Sequence, residues 1–356
     1  MKLVINKQVL ENVVSSMQPF LEKKDSSAIT SHIYLEISNN RLIAKATDYE
    51  IGFETFVENI SNFEDGKTTV NGVNLLSFIK RLKNEDITLE TTSNNLVIKQ
   101  NKSVFKLPTY DANEFPTINR YENLKELSIS MLNFINSIKK ISPAIDTNNP
   151  KFELNGALID IKSQKINFCA TDTRRLALTH LENISNSEAQ LIIPKKAIFE
   201  IQKLFFDDAK ISYDNTNLVI SNENSIFFTK LINGKYPDYE RIIPNNLKYN
   251  LYIPKNSVVE SIKLVTSLSS NVKISFTQNA ILFESLDEDS VANTQIDLDL
   301  NVEKDFYVAV NAKYLLDFFS MSNSEKIKIG FNESNLPFYL EDGKFITIVM
   351  PIVLEK

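Results

Sequence analysis

Alternating apolar and polar positions run through most of the chain, and they give way at intervals to apolar residues spaced three and four apart. The interruptions recur. A short alternating run followed by an amphipathic one occurs as "KLVINKQVLENVVSSM" from Lys2, "ELSISMLNFINSIKKI" from Glu126 and "NLYIPKNSVVESIKLV" from Asn250, at intervals of 124 residues. A second strand-then-helix pattern follows in each copy: "TTVNGVNLLSFIKRL", "LIIPKKAIFEIQKLF" and "FYVAVNAKYLLDFFSM", with Val70, Ile193 and Val310 in correspondence. A third is a pair of alternating runs, "NNLVIKQNKSVFKLP", "TNLVISNENSIFFTKL" and "SNLPFYLEDGKFITIVM", where Asn95, Asn217 and Asn335 correspond and Asp342-Gly343 signals a two-residue hairpin.

These repeats predict an α+β fold of three tandem similar units, each with two helices and about eight strands. The predicted helices cover residues 7–18, 72–83, 131–141, 195–206, 255–268 and 311–321. Asn6 and Ser130 are placed to cap two of them, and Pro254 suits a first helical turn. Polar stretches after a Phe-Pro or Tyr-Pro segment place the domain boundaries at 1–122, 123–247 and 248–356. A string of sheet domains has unpaired strand edges at its two ends, and head-to-tail contact with a second copy would close them into a ring.

One further element repeats with different chemistry. "ATDYEIGF" (46–53) and "ATDTRRLA" (170–177) share Ala-Thr-Asp at an interval of 124, but only the second is followed by arginines. Because Asp48 repeats Asp172 without them, the aspartate reads as a turn residue whose side chain bonds local backbone.

Composition narrows the function classes. With 43% hydrophobic and 24% charged residues the chain is ordinary globular material. No apolar run approaches the ~20 residues of a membrane span, and the first residues meet a glutamate too early for a signal peptide, so the expected location is cytoplasmic. The single cysteine, Cys169, in the apolar run "INFCA", reads as a buried structural thiol. With only His32 and His180 beside it, no zinc site can be assembled. None of the seven glycines falls into a nucleotide-binding spacing, and no cofactor is expected.

Charge is unevenly placed. The chain carries −6, yet the six predicted helices carry +8 in side chains, leaving −14 elsewhere. Lysine-rich surface helices are common, but segregation across all three repeats favours one face meeting a polyanion, through phosphates and without sequence reading. Arginine is scarce. Half of the six arginines lie in "TDTRRLA" and "KYPDYERIIP", the best candidates for a specific site.

Together with the triple repeat, "LNGALID" (154–160), "ATDTRRLA", "LINGKYPDYERIIP" (231–244) and "IVMPIVL" (348–354) resemble the bacterial DNA polymerase III β subunit family, the sliding clamps. The resemblance covers the whole chain in order. It implies a homodimeric ring of six domains, sheets outside and helices inside. Such a ring encircles double-stranded DNA and tethers the replicative DNA polymerase without enzymatic activity of its own. The implied partners are a second copy of the chain, the clamp loader, other polymerases, and mismatch-repair or ligase-type proteins that dock through short linear peptides.

By position, the family's peptide groove corresponds to Leu154, Thr171, Thr173, Arg174, Arg175, Leu176, Pro237, Arg241 and Ile242. Asn311, Tyr314, Ile348, Met350, Pro351 and Ile352 complete it. Aliphatic walls with an adaptable Met, and Arg and Asn to orient a backbone, suit a bound peptide. The expected DNA-facing positions are Lys24 and Asn148 by the resemblance and, from the basic helices, Lys80, Arg81, Lys83, Lys139, Lys140, Lys195, Lys196, Lys203 and Lys263. The dimer contact corresponds to Lys102, Phe105 and Leu107 facing Leu264, Val265, Glu284, Asp287, Glu288 and Asp289. This chain departs from the family where Thr173-Arg174 replaces a Gly-His pair and Phe152-Glu153 an aromatic pair. If the glycine uses positive φ, Thr173 must strain or reshape the turn.

Two other functions stay open at this level. One is a monomeric repeat scaffold for peptides, which would need no basic helices. The other is a phosphodiesterase with Asp172 as base and Arg174 and Arg175 on phosphate.

Overall fold

The computed structural model describes residues 1–116, 123–183, 185, 188–206, 208–244, 247–267, 269–286, 291–300 and 302–354. Residue 122, at the first expected domain boundary, lies outside this set, as do Asp287, Glu288 and Asp289. The chain forms two compact units, one of residues 1–131 with 203–231 and the other of residues 132–202 with 232–356.

The helices are α1 (Lys7–Met17), α2 (Gly72–Ile79), α3 (Met131–Ile141), α4 (Lys195–Leu204), α5 (Lys255–Val265) and α6 (Ala312–Met321). Apolar spacing decides their buried faces: Leu10, Val13, Val14 and Met17 on α1, and Val258, Ile262 and Val265 on α5. Asn6 caps α1 by accepting from Gln8 N–H, and Asn311 caps α6 by accepting from Lys313 N–H. Pro254 ends a strand and takes the N-cap position of α5, one residue before the helix. None of the helices among the described residues is long and apolar enough to cross a membrane.

Helix α2 stops four residues earlier than periodicity suggests, so Lys80, Arg81 and Lys83 lie beyond its end. Bonds from Arg81 N–H to Phe78 O (3.0 Å) and from Leu82 N–H to Ile79 O (3.1 Å) tighten the last turn. Gln100 then holds the exit by accepting from Lys83 N–H (3.0 Å) and donating to its carbonyl (2.9 Å).

The first unit contains two sheets. One has five strands in the order Phe63–Glu64, Lys2–Asn6, Asp86–Thr91, Asn95–Gln100, Ser103–Pro108. The other has eight: Lys125–Glu126, Lys210–Tyr213, Asn217–Ser221, Ser225–Lys230, Ile51–Glu58, Arg41–Thr47, His32–Ser38, Gly66–Asn71. The second unit has an eight-stranded sheet in the order Ala189–Pro194, Gly156–Ile161, Lys165–Thr171, Arg175–Glu182, Phe345–Val349, Phe338–Asp342, Lys326–Phe331, Tyr249–Pro254. Its four-stranded sheet runs Asn293–Asp297, Ala280–Ser285, Asn271–Phe276, Phe306–Asn311.

Each eight-stranded sheet joins four strands of one sequence repeat to four of the next. Strand Ser225–Lys230 of the second repeat pairs with Ile51–Glu58 of the first, with Phe227 opposite Phe53 and Thr229 opposite Ile51. Strand Phe345–Val349 of the third pairs with Arg175–Glu182 of the second, with Thr347 opposite Ala177 and Val349 opposite Arg175. Backbone ladders that run across the repeats explain why the compact units do not follow the sequence repeats. The last hairpin also differs by one position from expectation: its loop is Gly343-Lys344, with Asp342 paired to Phe345 and Gly343 at φ +60°. Asp342 is drawn into the strand by its carboxylate, which accepts from Asn323 N–H (2.6 Å) and Ser324 Oγ–H (2.5 Å).

Candidate peptide groove

The turn that carries "ATDTRRLA" is built by its own side chains. Thr171 Oγ donates to Arg175 O (2.6 Å) and accepts from Thr173 N–H (3.1 Å), while Asp172 Oδ1 accepts from Arg174 and Arg175 N–H (3.0 Å each). This closes the loop so tightly that Thr173 sits at φ +70°, a conformation strained for a β-branched residue. Tyr49 in the first repeat sits at φ +71°, so the strain belongs to the turn and not to threonine.

The predicted groove residues divide between the two faces of the sheet, because successive strand residues point to opposite sides. On one face Leu154, Leu176 and Ile348 share a buried apolar cluster with Leu158, Cys169, Leu178, Ile192, Tyr236, Tyr239 and Tyr339. On the other, Arg175 packs over the ring of Tyr314 at 4.6 Å, and both border a small crevice with Ala177, Asp317, Phe345 and Thr347. The faces meet at the end of the sheet. There Met350 N–H donates to Arg174 O (2.8 Å) and Ile352 N–H donates to Ala309 O (2.7 Å), so the residues after the last strand run beside both.

Exposure sorts the set further. Thr173, Arg174, Arg241, Ile242 and Met350 are exposed at the rim, and Pro237, Asn311, Tyr314, Pro351 and Ile352 are half-buried. Thr171 is buried, and so is Arg175, at 6% exposure. Each Arg175 side-chain nitrogen has a partner inside the chain, Nε with Asp172 Oδ2 (3.0 Å), Nη1 with Asp317 Oδ2 (2.7 Å) and Nη2 with the Pro143 carbonyl. Arg241 is open to solvent and pairs with Asp238 at 2.7 Å.

Sequence reasoning missed the two tyrosines of "KYPDYE". Tyr239 OH donates to Asp160 Oδ2 (2.6 Å) and accepts from Asn167 Nδ2 (2.7 Å), which fastens the 231–244 segment to the central strands. Burial, reinforced by Asp160, raises the Tyr239 pKa far above the ordinary tyrosine range, so the phenol stays protonated. Tyr236 is equally buried, and its hydroxyl meets the Thr171 backbone but makes no hydrogen bond of ordinary geometry among the described residues. Burial likewise pushes the Cys169 thiol well above its usual range, matching a structural thiol.

The expected DNA-facing residues are distributed over both units. Lys24, Lys80, Arg81, Lys83, Lys139, Asn148, Lys196, Lys203 and Lys263 are exposed. Among the described residues, Lys195 Nζ donates to Ile145 O (2.9 Å) and Thr147 Oγ1 (2.5 Å), and Lys140 lies 5.6 Å from the Phe345 ring centre. Burial lowers the Lys195 pKa.

At the expected dimer contact, Lys102 is exposed, Phe105 is half-buried against Phe78 (4.8 Å) and Leu107 is in the core. Leu264 is 60% exposed, whereas Val265 is fully buried, the consequence of a ~100° turn between neighbours on a helix. Glu284 pairs with Lys273 at 2.7 Å. Val104 and Val291, 54% and 81% exposed, are apolar positions that sequence reading passed over. The alternation of Val104 with the inward Leu107 and Phe105 would have marked the first.

Comparison with known proteins agrees with this architecture. The N-terminal, central and C-terminal domains of the DNA polymerase III beta subunit match residues 1–119, 128–238 and 240–352. The beta sliding clamp of Helicobacter pylori J99 is 38% identical, over 99% of this chain and 100% of that protein. The crystal structure of a Helicobacter pylori beta clamp bound to a DNA ligase peptide superimposes with a TM-score of 0.93 at 38% identity, over 99% of this chain and 100% of that one. The Pseudomonas aeruginosa DNA polymerase III subunit beta shares the fold, with a TM-score of 0.91 at 23% identity and the same coverage. The chain belongs to the DNA polymerase III beta subunit family, the beta sliding clamps, which are processivity factors and not catalysts.

Proposed function

We propose that two copies of this chain close head to tail into a ring that encircles duplex DNA, slides along it, and tethers the replicative polymerase, the clamp loader and other replication and repair proteins through the groove. Three domains, 1–122, 123–247 and 248–356, make up each half of that ring, and the protein works in the cytoplasm at the nucleoid.

The observation that carries this reading is a pair of orphaned strand edges in matching positions. Ser103–Pro108 is the first-repeat counterpart of Ser225–Lys230 and Phe345–Val349, each of which pairs with a strand of the preceding repeat. Asn293–Asp297 is the third-repeat counterpart of Ile51–Glu58 and Arg175–Glu182, which accept those strands. In the first unit Ser103–Pro108 is a sheet edge, and in the second unit Asn293–Asp297 is another. Among the described residues each therefore lacks the partner that repetition assigns to it, and a second copy supplies both. Transferring the internal register puts Phe105 opposite Ala292 of the second copy, and Ser103 opposite Thr294. The edges are also complementary in charge: Lys102 precedes one and Lys106 lies within it, while Glu284 and the 287–289 acidic stretch, which lies outside the described residues, precede the other.

Exposed lysines on several elements suit phosphate contact without base reading. The Helicobacter pylori relative binds a DNA ligase peptide. Here the exposed Ile242, Met350 and Arg174, backed by the buried cluster of Leu154, Leu176 and Ile348, offer an extended peptide apolar and charged contacts.

The encircling mechanism is tested by loading the protein onto nicked circular DNA and then linearising it. Topological linkage predicts retention on the circle and loss from free ends. Equal retention on both forms would sink it.

A further inference from the structure

Repetition supplies an internal control for the Arg175 cluster. In the first repeat, Thr47 Oγ donates to Ile51 O (3.0 Å) and accepts from Tyr49 N–H (3.0 Å), and Asp48 Oδ1 accepts from Glu50 and Ile51 N–H (3.0 Å each). These are the bonds of the Thr171–Arg175 turn, formed with isoleucine where the second repeat has arginine. Strand pairing at the two positions also matches, Ile51 opposite Thr229 and Arg175 opposite Val349. Neither turn nor ladder needs the charge.

What Arg175 adds is a buried cation that binds three separate pieces of chain: Asp172 in the turn, Asp317 on α6, and the Pro143 carbonyl after α3, with its guanidinium carbon over the Tyr314 ring. Replacing a buried ion pair by apolar groups is often neutral or stabilising, so stability is a weak reason for this cluster. Geometry is a stronger one. The cluster fixes the back of the Thr173–Arg174 rim through Asp172, and it fixes the Tyr314 ring through the guanidinium.

We propose that Asp317 is a positioning residue for the partner peptide. It holds Arg175 over the Tyr314 ring and so sets two walls of the groove at once. It touches no peptide itself. Its Oδ2 is shared, at 2.7 Å from Arg175 Nη1 and 2.8 Å from Lys313 Nζ, so the exposed lysine neutralises the carboxylate from the solvent side. The occupant it prepares for is an extended segment with an apolar side chain against the Tyr314 ring. This rests on the groove reading proposed above.

The test uses the full chain and, as probe, the DNA ligase peptide crystallised with the Helicobacter pylori clamp. Asp317→Asn is expected to weaken binding about tenfold. A second variant, Arg175→Ile with Asp317→Leu, copies the apolar end of the first-repeat turn; it should melt no lower than the natural chain and still bind weakly. In a Tyr314→Ala background, Asp317→Asn should have no further effect, which a general loss of stability would not reproduce. Natural affinity in the Ile/Leu variant, or full additivity with Tyr314→Ala, overturns the proposal. Failure of the natural chain itself to bind the peptide overturns the groove reading and this inference with it.

Discussion

Two tyrosines three residues apart in one segment give a matched pair of perturbations. Both are buried in the same apolar cluster, so replacing either by phenylalanine leaves the ring and removes one hydroxyl. Tyr239 loses a donated bond to a buried carboxylate oxygen at 2.6 Å and leaves the Asn167 amide, which donated to it at 2.7 Å, without that acceptor. Asp160 keeps Gln190 Nε2 at 3.1 Å and Lys162 at 3.5 Å, so it is weakened but not abandoned. A bond to a charged group plus one orphaned donor gives a loss of about 3 kcal/mol for Tyr239→Phe. Tyr236→Phe removes a hydroxyl that makes no hydrogen bond of ordinary geometry among the described residues and meets only the Thr171 backbone, giving between no change and a gain of about 1 kcal/mol. The two variants therefore differ by about 4 kcal/mol, on the order of 10 °C in melting temperature for a unit of this size. Differential scanning calorimetry resolves such a gap and reports which transition moves. Equal shifts for the two variants, or a larger loss for Tyr236→Phe, would refute the reasoning, since ring packing would then outweigh the polar network.

His32 offers a pH test. It is 3% exposed, stacked on Tyr110 at 4.3 Å, with Nδ1 3.2 Å from Thr69 Oγ1, and burial lowers its pKa to about 4. Since the unfolded chain titrates near ~6.5, the unfolded state takes the proton first as pH falls. Stability is complete above that value and is lost between about 6.5 and 4. His32→Phe keeps the stack and should flatten the stability profile over that window by up to ~1 proton; parallel profiles would exclude His32 as the source. At the ring closure, Val104→Glu places a negative charge on an exposed edge strand that faces an acidic stretch in the proposed dimer. The dimer dissociation constant should rise at least ~100-fold, because the contact occurs twice per ring, and sedimentation equilibrium would show it. An unchanged dimer would mean the orphaned edges do not meet.

The chain's repeats, its helices and its alternating strands were legible in the sequence because they depend on residues close together. Apolar spacing along "KQVLENVVSSM" puts Leu10, Val13, Val14 and Met17 on one face whatever lies opposite. The Ala-Thr-Asp turn is equally local, and Asp48 and Asp172 make the same two backbone bonds in different surroundings. The family could be found from short motifs in a fixed order.

What periodicity could not decide was which partner a residue meets. Leu264 and Val265 are both apolar, yet one is exposed and the other is core, since only the packed sheet fixes the helix rotation. Arg174 and Arg175 look alike in sequence. The first lies at the rim, and the second is turned inward to Asp317, 142 positions away along the chain. Helix α2 ends where Gln100, from a strand of the same unit, captures Lys83, so three basic residues left the helix for a turn. Local side-chain chemistry thus determined the elements by itself. The long-range ladders that join one repeat to the next, and the buried polar contacts of Arg175 and Tyr239, were decided only by folding, because their energies depend on partners that the sequence places far apart.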